Sequence, residues 1–375
     1  MTPSASVVIV TFNGAPFVRR LLDSLRAQTA RDFEVILVDN ASGDGTADTV
    51  EAEYPEVRVL RQTENLHFAR GNNLGYRAAA AEVVVLLNQD TWVEHDWLAR
   101  LLAPLQAKGS ESVACTHSPI LNEGEGYARS TARFDARAAN LATLSVAGRN
   151  CATDLPLDPA SIFYGSGGAL AVRKSFVGDD LFFPEYRAYA EDVALGWRLR
   201  LQGGKVVLVP EAHVHHALPP EGRPSSPDLV YLWERNRLFT LYIHYAPRTR
   251  WLLKPVFAAD MIALALRKPA LVRPDGSAQR ASGGAGPASP PARRALRRAA
   301  GRALLEALAS NRTLGGRRRE VAALRTVPDT EVTRAMTSRL TPFDTGLLGT
   351  LNRFSAAWCR AFGIPTVECQ TQREG

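Results

Sequence analysis

The chain has 375 residues, enough for two ordinary domains or for one large α/β domain with additions. Its 46% hydrophobic and 22% charged residues are typical of globular proteins and exclude a chain that is disordered throughout. The formal net charge of +7 favours anionic partners, and nucleic acid, an anionic membrane surface and a phosphorylated substrate all fit that charge.

Cysteine usage and the N-terminal segment favour a reducing compartment. The four cysteines are scattered, and no two have the C-x-x-C spacing of a metal or redox motif. No basic segment followed by an apolar one precedes the first strand-like run, so we expect no signal peptide. The apolar stretch near Val256–Leu266 is too short to span a bilayer. We therefore expect a cytoplasmic protein, either free or peripheral at the inner face of the cell membrane.

The first hundred residues alternate short apolar runs with segments of helical periodicity. Strands that alternate with helices predict a mixed, mostly parallel sheet with helices on both faces, here a Rossmann-like nucleotide-binding half. The predicted strands are Ser6–Thr11, Phe33–Val38, Val57–Gln62 and Val83–Leu87, and the predicted helices are Ala15–Gln28, Asp44–Tyr54 and Ala69–Ala80.

Polar residues follow the predicted strands, where ligands bind in sheets of this kind. Strand one ends in Thr11-Phe12-Asn13-Gly14, strand two in Asp39-Asn40, and strand four in Asn88-Gln89-Asp90, while strand three runs towards Asn65. The sequence therefore predicts a ligand site at the carboxyl edge of the sheet.

The remainder of the chain divides into a weakly periodic middle and a helical, basic end. The middle contains a turn at Gly165–Gly168, a helix at Asp192–Gln202 and a strand at Lys205–Val209. A helix is expected at Leu232–Tyr245, and a flexible linker at about residues 273–293. We place an α/β domain at residues 1–245 and a mainly helical, basic region at residues 246–375.

Asn88-Gln89-Asp90 is one candidate for chemistry. A carboxylate after a buried strand can bind a divalent cation that bridges a diphosphate, because such ions prefer oxygen ligands. The alternative from the residues alone is that Asp90 caps a following helix. Histidines at the end of the Lys205–Val209 strand, His213, His215 and His216, can complete such a metal site or can simply be structural.

Glu191-Asp192 is the second candidate, after an aromatic segment. Two acids at a helix start can merely complement the helix dipole. One of them can instead act as a general base, if burial raises its pKa towards the working pH. Gly165–Gly168 can let the backbone approach a ligand closely, with a plain tight turn as the alternative.

Taken in order, the segments SVVIVTFN, FEVILVDNASGDGT, RQTENLHFARGNNLGYRAA, VVVLLNQDTWV and FFPEYRAYAEDVALGWRLRLQGGKVVLVPEAHVHH resemble family 2 inverting glycosyltransferases of the GT-A fold. The resemblance covers roughly Ala5 to His244, in the family's order and spacing. It points to the rhamnosyltransferase-like branch that builds bacterial cell-surface polysaccharides. It implies transfer from a nucleotide-diphosphate sugar, first dTDP-rhamnose and then UDP-hexoses, to a glycan or polyprenyl-linked acceptor.

The resemblance implies a nucleotide site along the strand ends. Asp39 matches the acid that hydrogen-bonds the pyrimidine ring, and Asn40 follows it. Gly167 and Gly168 are assigned to the donor sugar. The other residues that match nucleotide-binding positions are Thr11, Asn13, Asn65, Gly71, Asn72, Asn73, Asn88 and Gln89.

The resemblance also implies the catalytic groups and a cofactor, Mg²⁺ or Mn²⁺. Asn88-Gln89-Asp90 replaces the family's Asp-x-Asp motif, so Asp90 is the expected carboxylate ligand, with His216 completing the site. Asp192 matches the base that deprotonates the acceptor hydroxyl, with Glu191 beside it. Ala194 departs from the family, which often has a second Asp there, and this puts acceptor choice or rate in doubt.

Two features towards the C-terminus bear on partners. The segment Trp233–Arg237 resembles one that recurs in this branch, so Trp233 and Arg237 are candidates for donor or acceptor contacts. For each arginine there, pairing with phosphate competes with a solvated helix face. Apolar helices with Lys and Arg at their edges suit an anionic membrane surface, an ordinary helical subdomain or an oligomer contact.

Three rival functions are weaker. A non-catalytic nucleotide-sugar-binding protein is expected to have lost Asp90 or Asp192, and both are present. A nucleotidyltransferase is expected to carry a Gly-rich first loop followed by Arg and Lys, where this chain has Thr11–Pro16. The arginines near residue 300 lack interleaved aromatic residues, so we expect no nucleic-acid partner.

Overall fold

The computed structural model describes residues 2–123, 144–149, 162–217, 226–266, 290–341 and 345–367. They belong to two compact units, the first formed by residues 1–138 and 158–223 and the second by residues 139–157 and 224–375. The second unit thus takes in the 139–157 segment together with the chain from residue 224 onward.

The strands occur in both units and alternate with helices in the first. They are β1 (Ala5–Thr11), β2 (Phe33–Asp39), β3 (Val57–Arg61), β4 (Val83–Asn88), β5 (Thr91–Val93), β6 (Val113–His117), β7 (Ile120–Glu123), β8 (Leu144–Ser145), β9 (Ala169–Arg173), β10 (Lys205–Leu208), β11 (Val214–Ala217) and β12 (Met336–Thr337).

The helices of the first unit are short and follow its strands, while longer helices make up most of the second unit. They are α1 (Val18–Arg26), α2 (Thr46–Glu53), α3 (His67–Ala78), α4 (Trp97–Gln106), α5 (Glu191–Leu201), α6 (Pro227–His244), α7 (Pro247–Leu252), α8 (Lys254–Leu266), α9 (Pro290–Ala309), α10 (Asn311–Leu324), α11 (Asp329–Thr333) and α12 (Gly346–Ala361).

A seven-stranded sheet forms the centre of the first unit, in the order β10-β6-β9-β4-β1-β2-β3. Neighbouring strands are parallel except around β9, which runs antiparallel to both β4 and β6. The mixed, mostly parallel sheet expected from the sequence is confirmed. The antiparallel direction of β9, between β6 and β4, was not foreseen, because a strand's own residues do not reveal the direction in which it pairs.

Burial explains why these segments take these structures. Strand β1 is buried along nearly its whole length, as its β-branched run predicts. Helix α1 buries Val18, Leu21, Leu22 and Leu25 on one stripe. Helix α3 approaches the sheet closely at Gly75, where an added Cβ atom would lie 2.3 Å from a methyl group of Val8.

A small second sheet lies beside the main one in the first unit. Its order is β5-β11-β7, with β11 antiparallel to β5 and parallel to β7. Thr91 pairs with His216 in this sheet, so the residues after β4 are brought beside the histidines that follow β10.

The second unit is mainly helical, with a short parallel pair of strands, β8 and β12. Helix α6 packs against α9 around Tyr231, Ala299 and Ala303. Residues 273–289 of the predicted linker lie outside the described residues, whereas residues 290–293 form the start of α9. Within the described ranges, none of the helices combines the length and hydrophobicity needed to cross a bilayer.

A buried network of four charges joins three parts of the second unit. The Arg149 guanidinium bonds both Glu234 and Asp260, and Arg237 bonds the same two acids. Arg237 also donates to the carbonyl oxygen of Ala147 at 2.7 Å. All four side chains are at most 8% exposed. The solvated helix face considered as an alternative for Arg237 is therefore wrong.

Candidate active site

The carboxyl ends of the parallel strands meet at one edge of the main sheet. Thr11 pairs in register with Asp39, and the preceding Val10 pairs with Asn88. The polar residues that follow β1, β2 and β4 therefore start from the same level of the sheet. The clustering expected from the strand-end rule is present in the structure.

Gln89 ties the end of β4 to the end of β1. Its Oε1 accepts hydrogen bonds from Oγ1 of Thr11 at 2.6 Å and from the amide of Phe12 at 2.9 Å. Its Nε2 donates to the carbonyl oxygen of Phe12 at 3.3 Å. Because both ends of the side-chain amide are engaged, Gln89 holds the first-strand loop in place.

Asn13 links the first-strand loop to the loop after β2. Its amide donates to Oγ of Ser42 at 2.9 Å, and its Oδ1 accepts from the amide of Gly43 at 3.0 Å. The residue adopts φ of 52°, which is uncommon for a residue with a side chain. The pair of bonds makes the two loops one rigid wall of the site.

Asp39 and Asn40 are buried, and each has one side-chain oxygen that can still accept a hydrogen bond. Oδ2 of Asp39 accepts from the amide of Ser42 at 3.3 Å, and Nδ2 of Asn40 donates to the carbonyl oxygen of His67 at 3.3 Å. Oδ1 of Asp39 and Oδ1 of Asn40 are buried without a hydrogen-bond partner. Buried acceptors of this kind are costly unless a ligand donates to them.

The predicted residues on and before α3 take different positions. Oδ1 of Asn65 accepts from the amide of His67 at 2.8 Å and so shapes the turn into the helix. Gly71 lets the helix approach β1, since an added Cβ atom would lie 2.8 Å from Val10. Asn72 donates to the carbonyl oxygen of Phe68 at 2.9 Å.

The side chain of Asn73 is hydrogen-bonded to the segment that precedes α5. Its Nδ2 donates to the carbonyl oxygen of Phe182, and its Oδ1 accepts from the Phe182 amide, both at 2.8 Å. The side chain is 1% exposed. Asn73 therefore joins α3 to the aromatic segment before Glu191, a contact between residues far apart in the sequence.

Asp90 and His216 face each other where β4 ends and β11 begins. Oδ2 of Asp90 lies 3.2 Å from Nε2 of His216, and the amide of Ala217 donates to the carbonyl oxygen of Asp90 at 2.8 Å. Strand β5 follows Asp90, and the next helix, α4, is preceded by Asp96, so the helix-capping alternative for Asp90 is wrong.

The Asp90–His216 pair fits a divalent cation that is shared with a substrate. A carboxylate oxygen and an imidazole nitrogen are both suitable ligands. Among the residues that the structure describes, no group of three His, Cys, Asp or Glu converges. A cation here would take its other ligands from phosphate oxygens and water, as cations that bridge a diphosphate do.

Glu191 and Asp192 form the first turn of α5, as the sequence predicts. Burial raises the pKa of Asp192 to about 6, although hydrogen bonds to its carboxylate from the backbone of Gly167 and Val193 oppose that rise. Burial, and then the charge of Asp192, raise the pKa of Glu191 well above its ordinary value. Oε2 of Glu191 is buried without a hydrogen-bond partner. At neutral pH, Asp192 is the member of the pair that is ready to accept a proton.

The turn at Gly165–Gly168 connects Asp192 to the end of β4 at Asn88, two residues before Asp90. The Gly167 amide donates to Oδ2 of Asp192 at 3.2 Å, and the Gly168 carbonyl oxygen accepts from the Asn88 amide at 3.1 Å. An added Cβ atom on Gly168 would lie 3.0 Å from Nδ2 of Asn88. The two glycines therefore allow the close packing that holds both groups, a role that the sequence did not reveal.

Several residues in or beside these loops have unusual backbone angles, which sequence patterns did not predict. Positive φ angles at residues other than glycine accompany functional loops because the surrounding structure must enforce them. In the described part of the chain they occur at Asn13, Ala41, Arg187, Tyr189 and Ala190, in loops beside these residues, and at His67, the first residue of α3.

Two predicted contact residues belong to the second unit. Trp233 is partly buried on α6, and Arg237 takes part in the buried network with Arg149, Glu234 and Asp260. The fork of Arg237 already bonds two carboxylates and a carbonyl oxygen. Its contacts are those of a residue that stabilises the second unit.

Comparison with known proteins identifies the family. Residues 6–178 match the model of glycosyl transferase family 2. The chain is 30% identical over 305 residues to N-acetylglucosaminyl-diphospho-decaprenol L-rhamnosyltransferase of Mycobacterium tuberculosis, which covers 73% of this chain and 94% of that protein. The chain belongs to glycosyl transferase family 2.

Solved structures support the GT-A fold of this family 2 glycosyltransferase. Residues 1–349 of S. aureus TarS, in complex with UDP-GlcNAc, align with a TM-score of 0.52 at 14% identity, over 96% of this chain and 88% of that one. GalNAc-T7 with UDP, GalNAc and Mn²⁺ aligns with a TM-score of 0.51 at 22% identity, over 71% and 52% of the two chains. The fold expected from the sequence is confirmed.

Proposed function

We propose that this glycosyltransferase moves a sugar, with inversion at the anomeric carbon, from a dTDP- or UDP-sugar to a hydroxyl group of a lipid-linked glycan. The observation that carries the proposal is Asp192, whose carboxylate has a pKa of about 6 and is held by the turn that also contacts Asn88. A carboxylate tuned to this range suits a general base near neutral pH.

Asp192 is the base in this proposal. It accepts the proton of the acceptor hydroxyl while that oxygen forms a bond to the anomeric carbon. The bond from that carbon to the diphosphate breaks on the opposite face, and the nucleoside diphosphate leaves with the electron pair. One displacement inverts the configuration and needs one carboxylate beside the acceptor, in contrast to the carboxylate pairs of glycoside hydrolases.

Asp90 and His216 hold the metal ion in this proposal. Bound Mg²⁺ or Mn²⁺ would neutralise the negative charge that develops on the leaving diphosphate. Support comes from the 3.2 Å separation of Oδ2 of Asp90 and Nε2 of His216, and from the way backbone pairing of β5 with β11 fixes both residues. GalNAc-T7, which shares the fold, was solved with Mn²⁺.

The nucleotide lies against the ends of β1 and β2 in this proposal. Oδ1 of Asp39 and Oδ1 of Asn40 are acceptors for donor groups on the base or ribose, and their unpaired burial supports this. The loops that Asn13 and Gln89 cross-link form the wall, and Gly71 lets α3 come close. Asn65 and Asn72 shape the adjoining helix start.

The relative from Mycobacterium tuberculosis supports the substrate class. Its name describes L-rhamnose transfer to N-acetylglucosaminyl-diphospho-decaprenol, and this chain aligns with 94% of its length. We infer that rhamnose from dTDP-rhamnose is the donor sugar to test first, and that the acceptor is a polyprenyl diphosphate-linked sugar in the synthesis of a cell-surface polysaccharide.

Release of nucleoside diphosphate from a panel of purified nucleotide-sugars tests the donor. Transferases of this kind slowly hydrolyse the donor that fits them, so the assay needs no acceptor. We expect dTDP-rhamnose to give the fastest metal-dependent release and the Asp192→Asn variant to lose transfer to a polyprenyl-linked acceptor. A UDP-hexose hydrolysed faster than dTDP-rhamnose would reject rhamnose while keeping the transferase, and release from no nucleotide-sugar would reject the transferase.

A further inference from the structure

Helix α12 of the second unit is unusual in which residues it buries. Its buried positions are small or polar, namely Gly349, Asn352, Ser355 and Cys359. Its exposed side instead carries Leu347, Thr350, Phe354, Ala357 and Ala361, with Arg353 and Arg360 between them. A helix of a freely soluble domain normally faces solvent with polar residues and buries the apolar ones. The exposed side therefore has the composition of a contact surface.

Aromatic side chains extend this exposed side onto neighbouring elements. The rings of Phe354 and Trp358 lie 5.8 Å apart, and those of Trp358 and Phe362 lie 4.5 Å apart. Nε1 of Trp358 donates to the carbonyl oxygen of Leu252 at 2.8 Å, which brings the end of α7 beside α12. Trp251 on α7 is 65% exposed, Phe362 45% and Phe354 39%.

We define the aromatic face as the exposed apolar side chains of α7, α12 and the residue that follows α12. Its members are Trp251, Leu347, Phe354 and Phe362. Large exposed apolar side chains that cluster in this way mark an interaction site more often than isolated ones do.

Among the described residues of α7, α8 and α12, the exposed charges have one sign. The segments 247–259 and 346–361 contain no Asp or Glu. Asp260, the only acid in α8, is buried and paired with Arg149. Exposed basic side chains are Arg248 on α7, Lys254 at the start of α8, and Arg353 and Arg360 on α12. A partner that covers this face must therefore tolerate or complement positive charge.

We propose that the aromatic face docks on an anionic membrane surface. Trp and Phe rings partition into the interfacial zone of a bilayer, and arginines and lysines beside them are attracted to acidic headgroups. A second copy of this chain would bring two sets of basic side chains together. Nucleic acid, whose bases can stack on the rings, would leave Leu347 without an apolar contact. The membrane surface satisfies both the rings and the charges.

Sedimentation of the full chain with vesicles tests this surface. The chain is expected to sediment with vesicles that contain phosphatidylglycerol and much less with pure phosphatidylcholine vesicles, with binding that weakens as salt is raised. The double variant Trp251→Ser/Phe354→Ser should bind about tenfold more weakly or worse. Absence of wild-type sedimentation with phosphatidylglycerol vesicles would overturn the proposal.

Two exposed leucines, one on the aromatic face and one elsewhere, distinguish binding through this face from nonspecific hydrophobic binding. Leu347 is 58% exposed on α12, and Leu305 is 70% exposed on α9. Leu347→Ser should weaken vesicle binding while Leu305→Ser leaves it unchanged; equal effects would count against the proposed face. Charge is compared in the same way. Arg353→Gln/Arg360→Gln should weaken vesicle binding, while Arg319→Gln, at an exposed position on α10, should leave it unchanged.

Two further measurements distinguish the other partners and the chemistry. If the wild-type chain without vesicles has twice the mass of the Trp251→Ser/Phe354→Ser variant in light scattering, the face is a dimer contact and the membrane proposal fails. Filter binding of RNA or DNA lost in the same variant would also overturn it. Metal-dependent hydrolysis of nucleotide-sugar without vesicles should be the same in all these variants, so membrane docking and sugar transfer can fail independently.

Discussion

The backbone amide of Gly167 donates a hydrogen bond to Oδ2 of Asp192 at 3.2 Å, and Oδ1 of the same carboxylate accepts from the amide of Val193 at 2.8 Å. Both oxygens are thus oriented by the backbone. The same turn contacts Asn88 through the carbonyl oxygen of Gly168. A strand end and a helix start that are a hundred residues apart are therefore held in one arrangement.

The pH dependence of transfer follows from the pKa of Asp192. A base must be deprotonated, and burial raises this pKa to about 6. We expect kcat/KM to fall about tenfold per pH unit below pH 6 and to level off above it. Asp192→Asn should lower transfer by about 100- to 10,000-fold while calorimetry shows unchanged nucleotide binding. Near-normal turnover by this variant would remove Asp192 as the base.

Removal of Asp90 should weaken nucleotide binding only when metal is present. In the proposed metal site Asp90→Ala or His216→Ala leaves a single protein ligand, so Mn²⁺-dependent binding of UDP or dTDP should weaken by about tenfold or more. Calorimetry with Mn²⁺ and with EDTA measures the difference. His213→Ala is the control, because His213 is a nearby histidine that is not one of the two proposed ligands. Its Nδ1 lies 3.9 Å from Oε1 of Glu94. Equal losses in all three variants would contradict the assignment.

Gly168 is expected to be intolerant of a side chain. In Gly168→Ala the new Cβ atom would lie 3.0 Å from Nδ2 of Asn88, so either the turn or Asn88 must shift. We expect kcat to fall by about 10- to 100-fold, because small displacements of reacting groups are costly. Gly316→Ala on α10 serves as the control and should keep full activity, since an added Cβ atom there would have no atom within 4 Å apart from its chain neighbours and the backbone of its own helix. Full activity of Gly168→Ala would show that the turn does not position the site.

Glu191 should destabilise the protein at high pH. Because of burial, the pKa of Glu191 in the folded protein lies well above its ordinary value. The free energy of unfolding therefore falls as pH rises from that ordinary value through the raised pKa. Glu191→Gln carries no charge at any pH. Its Tm should equal that of the wild type near pH 4 and exceed it at pH 8, as measured by calorimetry. The exposed Glu111→Gln should show no such difference, and a Glu191→Gln variant less stable at pH 8 would contradict the prediction.

The buried charges of the second unit can be tested against an exposed pair. Glu234 bonds both Arg149 and Arg237, and these attractions lower its pKa although burial opposes them. Glu234→Gln leaves buried positive charge without full compensation and should cost about 3–5 kcal/mol in the free energy of unfolding. The exposed Glu331–Arg334 pair offers the control, since Glu331→Gln should cost less than about 1 kcal/mol. Urea denaturation measures both.

The residues themselves determine most of the first unit. The strands and helices up to β4 lie within about three residues of the segments read from apolar periodicity. That result is expected, because a strand buried on both faces needs an unbroken apolar run and a surface helix needs one apolar stripe. The positions of Thr11, Asp39, Asn88 and Asp192 at element ends follow from the same patterns.

The contacts that assemble the site depend on pairing between distant segments. The antiparallel entry of β9 beside β4 brings Gly167 and Gly168 to Asn88, and the pairing of β11 with β5 brings His216 to Asp90. The burial of Arg237 among Asp260, Glu234 and Arg149 also arises from packing of separate elements. Periodicity reports only whether each residue faces water. Strand order, strand direction and ion pairing depend on the free energy of the whole folded chain, so they cannot be predicted from a local pattern.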